Sequence, residues 1–361
     1  MKIAPLVIGD RQVSVPIVQG GMGVRVSTSS LAGAVANCGA MGTIAGVGLG
    51  YGTALNEKDY YQASIDSLRF EIRRARELSK GMIGVNVMVA LTNYDDLVRV
   101  ANEEKVDFIA SGAGLPLHLP GLVDNKFTKL IPIISSAQAA SIMIRAWKKR
   151  FNKTPDAIIV EGPMAGGHLG FKRDDLLGDN RPKLDDILTS VLKVAKDNEA
   201  AGNPRIPVIA GGGVFDGRDM ARILRLGASA VQMATRFVAT FECSVAEEFK
   251  QLYLKSTAED AVIIKSPVGM PGRAIRNEFV RQVEKGAKIP YECRYQCLRS
   301  CDPTTAPYCI AKAMFNAARG DVDNAIVFCG SNVGRVNKIV HVCDLVNEIM
   351  AEAQSELDKP S

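Results

Sequence analysis

The stretch that decides the fold is residues 207–237, PVIAGGGVFDGRDMARILRLGASAVQMATRF. It holds two short apolar runs, 208–211 and 230–233, with one compact helix between them. The first run ends in Gly211, Gly212 and Gly213, and the second leads into Ala234 and Thr235. Two successive strand ends with exposed main-chain N–H groups are typical of the phosphate site after strands 7 and 8 of a (β/α)8 barrel.

The rest of the chain repeats the alternation of apolar runs and amphipathic helices that such a barrel requires. Eight candidate strands are predicted at residues 15–19, 42–45, 83–88, 108–111, 131–135, 157–161, 208–211 and 230–233. The expected fold class is therefore α/β, a TIM (β/α)8 barrel. We find no internal repeat and no low-complexity segment.

The barrel pattern stops after Phe241, which predicts three parts of the chain. Residues 1–241 form the main part of the barrel, and residues 242–324, rich in charge, form an inserted helical subdomain. Residues 325–361 return to the barrel and end in a helix with one apolar stripe.

A candidate active-site loop, EGPMAGGHLG, occupies residues 161–170 after the predicted strand 157–161. Gly166 and Gly167 lack Cβ atoms and let the main chain lie against a flat cofactor. The adjacent His168 carries the side chain best suited to exchange a proton near neutral pH. A glycine-rich turn with a hydrogen-bonded core histidine is the alternative for this segment taken alone.

Several short motifs in one order resemble those of the nitronate monooxygenase (2-nitropropane dioxygenase) family and of its relatives, the FMN-dependent enoyl-acyl-carrier-protein reductases. They are QGGM at 19–22, GVN at 84–86, GGH at 166–168, AGG at 210–212, TRF at 235–237, GDVD at 320–323 and GS at 330–331. The resemblance covers nearly the whole chain. It departs at Ala234, where the family usually has glycine, and in the cysteine-rich segment 293–309.

The resemblance implies an FMN enzyme with His168 as its catalytic residue. Gly21 and Met22 would contact the flavin ring and Asn86 would hydrogen-bond it. The residues that would surround the phosphate are Gly166, Gly167, Gly211, Gly212, Gly213, Ala234 and Thr235. Gly330 and Ser331 would close over it from the returning segment.

Two reactions are compatible with a flavin beside one histidine. The first is nitronate oxidation to a carbonyl compound and nitrite, in which His168 binds the anion or removes a proton. The second is reduction of an enoyl thioester with NAD(P)H as co-substrate. The motifs do not choose between them, and a flavin-binding sensor without catalysis is a further alternative, against which His168 argues.

The sequence gives less support to a different barrel enzyme and to a functional role for the other two histidines. An inosine monophosphate dehydrogenase needs a nucleophilic cysteine after a barrel strand, and no cysteine lies between Cys38 and Cys243. His118 and His341 are expected to be structural.

Four cysteines, Cys293, Cys297, Cys301 and Cys309, lie within seventeen residues. Three of them share one face if the segment is helical, and a four-thiolate site, a [4Fe-4S] cluster or zinc, is predicted there. An iron–sulfur cluster would make an electron-transfer flavoprotein reductase a third hypothesis. Free cysteines in a subdomain core are the alternative, and disulfides are not expected in a reducing compartment.

Bulk properties point to a cytoplasmic enzyme with a small-molecule substrate. The net charge of +5 and the pI of 8.7 come without a long basic tract, so no nucleic-acid partner is expected. The N-terminus lacks the apolar core of a signal peptide. The charge-free stretch 26–56 contains seven glycines and is predicted to be barrel interior and not a membrane span. A homodimer is an open expectation.

Overall fold

The structure is a computed structural model that describes residues 2–52, 60–293 and 295–359. In chain order its strands are β1 Leu6–Ile8, β2 Arg11–Val13, β3 Ile17–Gln19, β4 Gly42–Ala45, β5 Ile83–Met88, β6 Phe108–Gly112, β7 Lys129–Ile134, β8 Ile158–Glu161, β9 Gly167–His168, β10 Val208–Gly211, β11 Ala230–Met233, β12 Ala261–Lys265 and β13 Pro271–Ile275.

The helices enclose these strands. They are α1 Ser29–Asn37, α2 Tyr60–Leu78, α3 Tyr94–Glu103, α4 Ala137–Phe151, α5 Arg173–Leu177, α6 Leu184–Ala200, α7 Gly217–Arg225, α8 Thr235–Val238, α9 Glu247–Lys255, α10 Glu278–Glu284, α11 Ile310–Ala318 and α12 Val342–Asp358. Within residues 2–52, 60–293 and 295–359, none of them has the length and apolar character needed to cross a membrane.

Eight parallel strands form the barrel in the order β3-β11-β10-β8-β7-β6-β5-β4. The two ends of this order meet at a parallel bridge between Val18 and Met41, where Gln19 N donates to Met41 O at 2.9 Å and Met41 N donates to Ile17 O at 2.9 Å. The sheet therefore closes on itself, which leaves no open edge.

The barrel has two separate apolar regions. Inward-facing side chains such as Phe108, Ile131 and Ile159 are fully buried and form one cluster, to which Leu6 and Ile8 of β1 also belong. The β1–β2 hairpin thus closes the end of the barrel where the strands begin. The larger second cluster lies between the barrel and its helices. Functional loops are left to the opposite end, where the strands finish.

The sequence-based strand assignment is confirmed. The observed barrel strands begin and end within two residues of the eight predicted ones, and four of them coincide with the prediction. The helix predicted between strands 208–211 and 230–233 is α7, whose Asp216 side chain caps it by accepting a hydrogen bond from Asp219 N at 3.0 Å. The charge-free stretch forms α1 and β4, and its residues 53–56 lie outside the described residues.

The inserted segment 242–324 was predicted to be helical, but it contains strands as well as helices. It contains the antiparallel hairpin β12–β13, and β13 pairs on its other side with β9, so that Gly272 lies opposite His168. The β-branched run Val262-Ile263-Ile264 favours an extended conformation, which the charge count of the segment obscured. The boundaries after residues 241 and 324 stay a prediction.

A disulfide joins Cys38, at the end of α1, to Cys343 in the first turn of α12. The expectation of no disulfide is therefore wrong for this pair. The two cysteines are 305 residues apart, and only the packing of the last helix beside the first brings their Cα atoms to 5.5 Å. Sequence spacing carries no sign of such a contact.

Candidate active site

A cavity of about 240 Å³ opens at the ends of the barrel strands. Its floor and sides come from residues near or just after the ends of β3, β5, β8, β10 and β11, among them Gly20, Asn86, Glu161, Gly212 and Ala234. Loops that are far apart in sequence therefore meet around one space, as expected for a ligand site in this fold.

His168 lies on the wall of this cavity and is held from two sides. Its Nε2 atom is 2.7 Å from Ser266 Oγ, and its ring packs edge-on against Phe328 with 5.0 Å between ring centroids. Burial lowers the pKa of His168 to about 4, because the charged imidazolium would lose its hydration there. The side chain is thus a neutral imidazole at physiological pH.

The predicted phosphate loops form a tight cradle beside this histidine. Gly212 and Gly213 have φ angles of +89° and +104°, which favour glycine, and the described residues include no acceptor for their N–H groups. A Cβ atom at Gly166 would lie 2.5 Å from the carbonyl carbon of Cys329. Gly330 N donates to Thr235 Oγ1 at 3.0 Å, which ties the returning segment to the end of β11.

On the other side of the cavity, Gly21 and Asn86 are in close contact. A Cβ atom at Gly21 would lie 2.3 Å from that of Asn86, so only glycine fits. No partner for the Asn86 amide is found in the part of the chain that the structure describes, and the buried hydroxyl of Thr43 also lacks one. Gln19 supports this loop, accepting from Thr43 N at 2.9 Å and donating to Ser27 Oγ at 2.8 Å.

The inserted segment supplies an apolar wall opposite the glycine loops. Its contributions to the cavity include Phe249, Tyr253, Val268, Leu298, Ile310 and Met314. Neither lysine nor arginine lines the cavity among the described residues. The site can therefore take an apolar group beside the glycine loops.

The cysteine-rich segment reaches the cavity through Cys297. Its main chain docks on the loop after β5, with Thr92 N donating to Cys297 O at 3.2 Å and Arg299 N donating to Ala90 O at 2.9 Å. Burial, with smaller contributions from the neighbouring thiols of Cys309, Cys293 and Cys301, raises the pKa of the Cys297 thiol to about 12. The four side chains are thus near one another.

They do not form a metal site in this structure. Across residues 2–52, 60–293 and 295–359, no three or more His, Cys, Asp or Glu side chains are placed to hold a metal ion. We therefore derive no step through a metal, and the four-thiolate site stays a prediction.

The other histidines lie outside the cavity. His118 Nε2 is 3.0 Å from Asp95 Oδ1. His341 directly precedes α12, and its Nδ1 atom is 3.1 Å from Glu242 Oε1.

The structure brings twelve of the thirteen predicted catalytic and flavin-binding residues to the cavity, and only Gly211 lies beneath it as the last residue of β10. Sequence reasoning missed Glu161, Ser266 and Arg273. Glu161 could have been found from its position at a strand end. Ser266 and Arg273 lie in the inserted segment, where no motif marks them.

The family model of nitronate monooxygenase matches residues 5–105 and 89–352. The chain belongs to the nitronate monooxygenase family. The resemblance seen in the sequence motifs is thus confirmed, and so is the barrel fold. In this family member, the site described above lies at the end of the barrel at which the strands finish.

Two curated relatives of this nitronate monooxygenase family member are named for different activities. The (3aS,4S,5R,7aS)-5-hydroxy-7a-methyl-1-oxo-octahydro-1H-indene-4-carboxyl-CoA dehydrogenase of Mycobacterium tuberculosis is 30% identical over 273 residues, covering 76% of this chain and 66% of that protein. The chain thus spans just under two thirds of that relative. A probable nitronate monooxygenase of Staphylococcus aureus is 28% identical over 302 residues, covering 76% of this chain and 78% of the relative.

A solved structure, FabK from Thermotoga maritima, superposes with a TM-score of 0.74 at 29% identity, covering 96% of this chain and 95% of the other. The likeness extends over the inserted segment as well as the barrel.

Proposed function

We propose that the protein is an FMN-dependent oxidoreductase that oxidises nitronates to carbonyl compounds and nitrite. The observation that carries the proposal is the single cavity in which the neutral imidazole of His168 faces a cradle of glycine loops. Membership of the nitronate monooxygenase family supports the same reaction class.

The residues of the cavity fit FMN. The N–H groups of Gly212 and Gly213, which have no acceptor among the described residues, would donate to phosphate oxygens, with Ala234, Thr235, Gly330 and Ser331 around them. Gly21, Met22 and the unpartnered amide of Asn86 would face the ring. When bound, FMN accepts the electrons that leave the substrate and passes them to oxygen.

His168 would orient the substrate without changing its own charge. Because its pKa lies near 4, the imidazole stays neutral from about pH 5 upward and offers one N–H donor and one acceptor. Ser266 holds one ring nitrogen, which leaves the other free to contact a nitronate oxygen. The apolar wall excludes water from the reacting carbon.

A second candidate is the NAD(P)H-dependent reduction of an enoyl thioester. It is favoured by the absence of lysine and arginine from the described lining, since an anionic nitronate gains no charged partner there, whereas a neutral acyl group gains apolar contacts. The name of the mycobacterial relative, which includes a carboxyl-CoA, points to the same substrate class.

Anaerobic stopped-flow reduction separates the two candidates. Purified protein is mixed in turn with a nitronate, NADH and NADPH, and bleaching of the flavin is followed. The proposal requires fast bleaching by the nitronate alone and nitrite release once oxygen is admitted. Fast bleaching by NADH or NADPH with no response to the nitronate would replace it by the thioester reductase.

The cysteine metal site, the cytoplasmic location and the homodimer are further proposals. Iron and zinc analysis of anaerobically purified protein tests the cysteine cluster, which requires about four iron atoms or one zinc per chain. A cytoplasmic location and a homodimer likewise await direct measurement.

A further inference from the structure

Glu161 occupies a position in the cavity that the proposed roles do not use. It is the last residue of β8, lies opposite Gly211 of β10, and lines the cavity together with His168. We find no hydrogen-bond or ion-pair partner for its carboxyl group among the described residues. The residue is half-buried at the cavity wall, so its carboxyl group is left to interact with whatever occupies the cavity.

Among the described residues that line the cavity, no charged group faces this carboxyl. The described lining has no Lys, Arg or Asp, and its other titratable side chains are His168, Tyr60, Tyr253, Cys297 and Cys329. Burial lowers the pKa of His168 to about 4, holds the pKa of the Cys297 and Cys329 thiols near 12, and raises that of both phenols, so all five are neutral at pH 8. On the adjacent strands, Gly211 lies opposite Glu161, and Ala210 and Ile134 lie opposite its neighbour Val160; none of the three is titratable.

We propose that Glu161, which lines the cavity beside His168 without a partner among the described residues, is a second catalytic residue whose carboxyl group donates a hydrogen bond to an sp² oxygen of the substrate. The proposal rests on the proposed function and deepens it. A nitronate oxygen and a thioester carbonyl oxygen are the same kind of acceptor, so the assignment holds for either substrate. A neutral donor stabilises negative charge on that oxygen, whereas an ionised carboxylate would repel it.

The sign of the pH dependence follows from the environment. Burial raises the pKa of Glu161 to about 8 because nothing nearby compensates the charged form. The donor is therefore present below pH 8 and is lost as the pH rises through 8. His168 contributes nothing to this change, since it is neutral throughout that range.

The test uses the FMN-loaded protein and three variants. Glu161→Gln keeps an N–H donor but cannot ionise, Glu161→Ala removes the donor, and Glu199→Gln, on the exposed face of α6, is the matched control. Two readouts are taken from pH 6 to 10. One is the flavin absorption spectrum without substrate, and the other is KM for ethylnitronate and for crotonyl-CoA with NAD(P)H.

Wild type and Glu199→Gln should show a spectral titration near pH 8, and Glu161→Gln should show none. KM for the substrate that is turned over should rise about 10-fold above pH 8 in wild type, stay flat in Glu161→Gln, and be about 10-fold higher at all pH values in Glu161→Ala. If neither probe is turned over, the proposed function fails and the spectral titration alone decides the state of Glu161.

Three results would overturn the proposal: an unchanged titration in Glu161→Gln, unchanged KM in Glu161→Ala, or loss of FMN from Glu161→Gln, which would make Glu161 a cofactor ligand.

Discussion

At the scale of single residues, the site separates two titratable groups by their surroundings. Burial acts on both, yet it keeps His168 free of charge by lowering its pKa and keeps Glu161 free of charge by raising its pKa. A neutral pocket suits a flavin, whose reactivity depends on the charges around its ring. The substrate then has to be oriented by hydrogen bonds and not by ion pairs.

The first prediction concerns His168→Ala. Removal of the imidazole should lower turnover about 100-fold or more, the usual scale for losing a polarising or proton-transferring group. FMN should stay bound, because the imidazole is not part of the phosphate cradle and most of that cradle lies on the loops after β10 and β11. Steady-state kinetics and the flavin spectrum of the purified variant measure both effects. Turnover equal to that of the parent would remove His168 from the mechanism.

A second residue-scale prediction tests the cradle through Gly212→Asp. The new side chain would meet Gly162 O, which lies 2.7 Å from the Cβ position, and would place a negative charge where phosphate is expected. Flavin content should fall at least 10-fold. Gly202→Asp is the control, because Gly202 shares a positive φ of +79° and has nothing within 4 Å of its Cβ position. Equal flavin loss in both variants would assign the effect to backbone strain alone.

At the scale of elements, the inserted hairpin acts as a clamp on the His168 loop. β13 pairs with β9, and Ser266, directly after β12, reaches the histidine ring. The buried Arg273 adds a side-chain contact, with Nη1 donating to Pro163 O at 2.8 Å and to Ala165 O at 2.5 Å. Burial lowers the pKa of this guanidinium, and its hydrogen bonds to the loop carbonyls satisfy the buried charge in part.

The third prediction follows from this clamp. Arg273→Met should leave two loop carbonyls without their donor and lower the free energy of unfolding by about 1 to 3 kcal/mol. It should also raise KM for substrate. Arg276→Met, directly after β13, is the control. The Arg276 side chain forms an exposed ion pair with Glu284, so its loss should change the free energy of unfolding by less than about 1 kcal/mol. Urea unfolding of both variants compares them. A matching loss in the control would refute a specific role for Arg273.

At the scale of the whole molecule, the sequence predicted the barrel well and its additions poorly. The strands could be found because parallel strands are buried on both faces and appear as apolar runs bounded by glycine. The glycine loops and His168 could be placed because barrel topology brings all strand ends together. The hairpin, Ser266 and Arg273 could not, since their roles depend on contacts about 100 residues apart that leave no local pattern. The Cys38–Cys343 disulfide could not be predicted for the same reason, since its partners are 305 residues apart.

The last prediction concerns the link between the two ends of the chain. Cys38–Cys343 holds α12 against α1 across 305 residues of sequence, so the bond restricts the unfolded chain strongly. The free energy of unfolding of the double variant Cys38→Ser/Cys343→Ser should be about 2 to 5 kcal/mol lower than that of the oxidised parent. Its Tm should no longer respond to dithiothreitol, whereas reduction should lower the Tm of the parent to that of the variant. Flavin content should be the same in both, because the cavity lies at the strand ends and neither cysteine lines it. A parent whose Tm ignores the reductant, with both thiols free to alkylation before unfolding, would show that the two helices are held by packing alone.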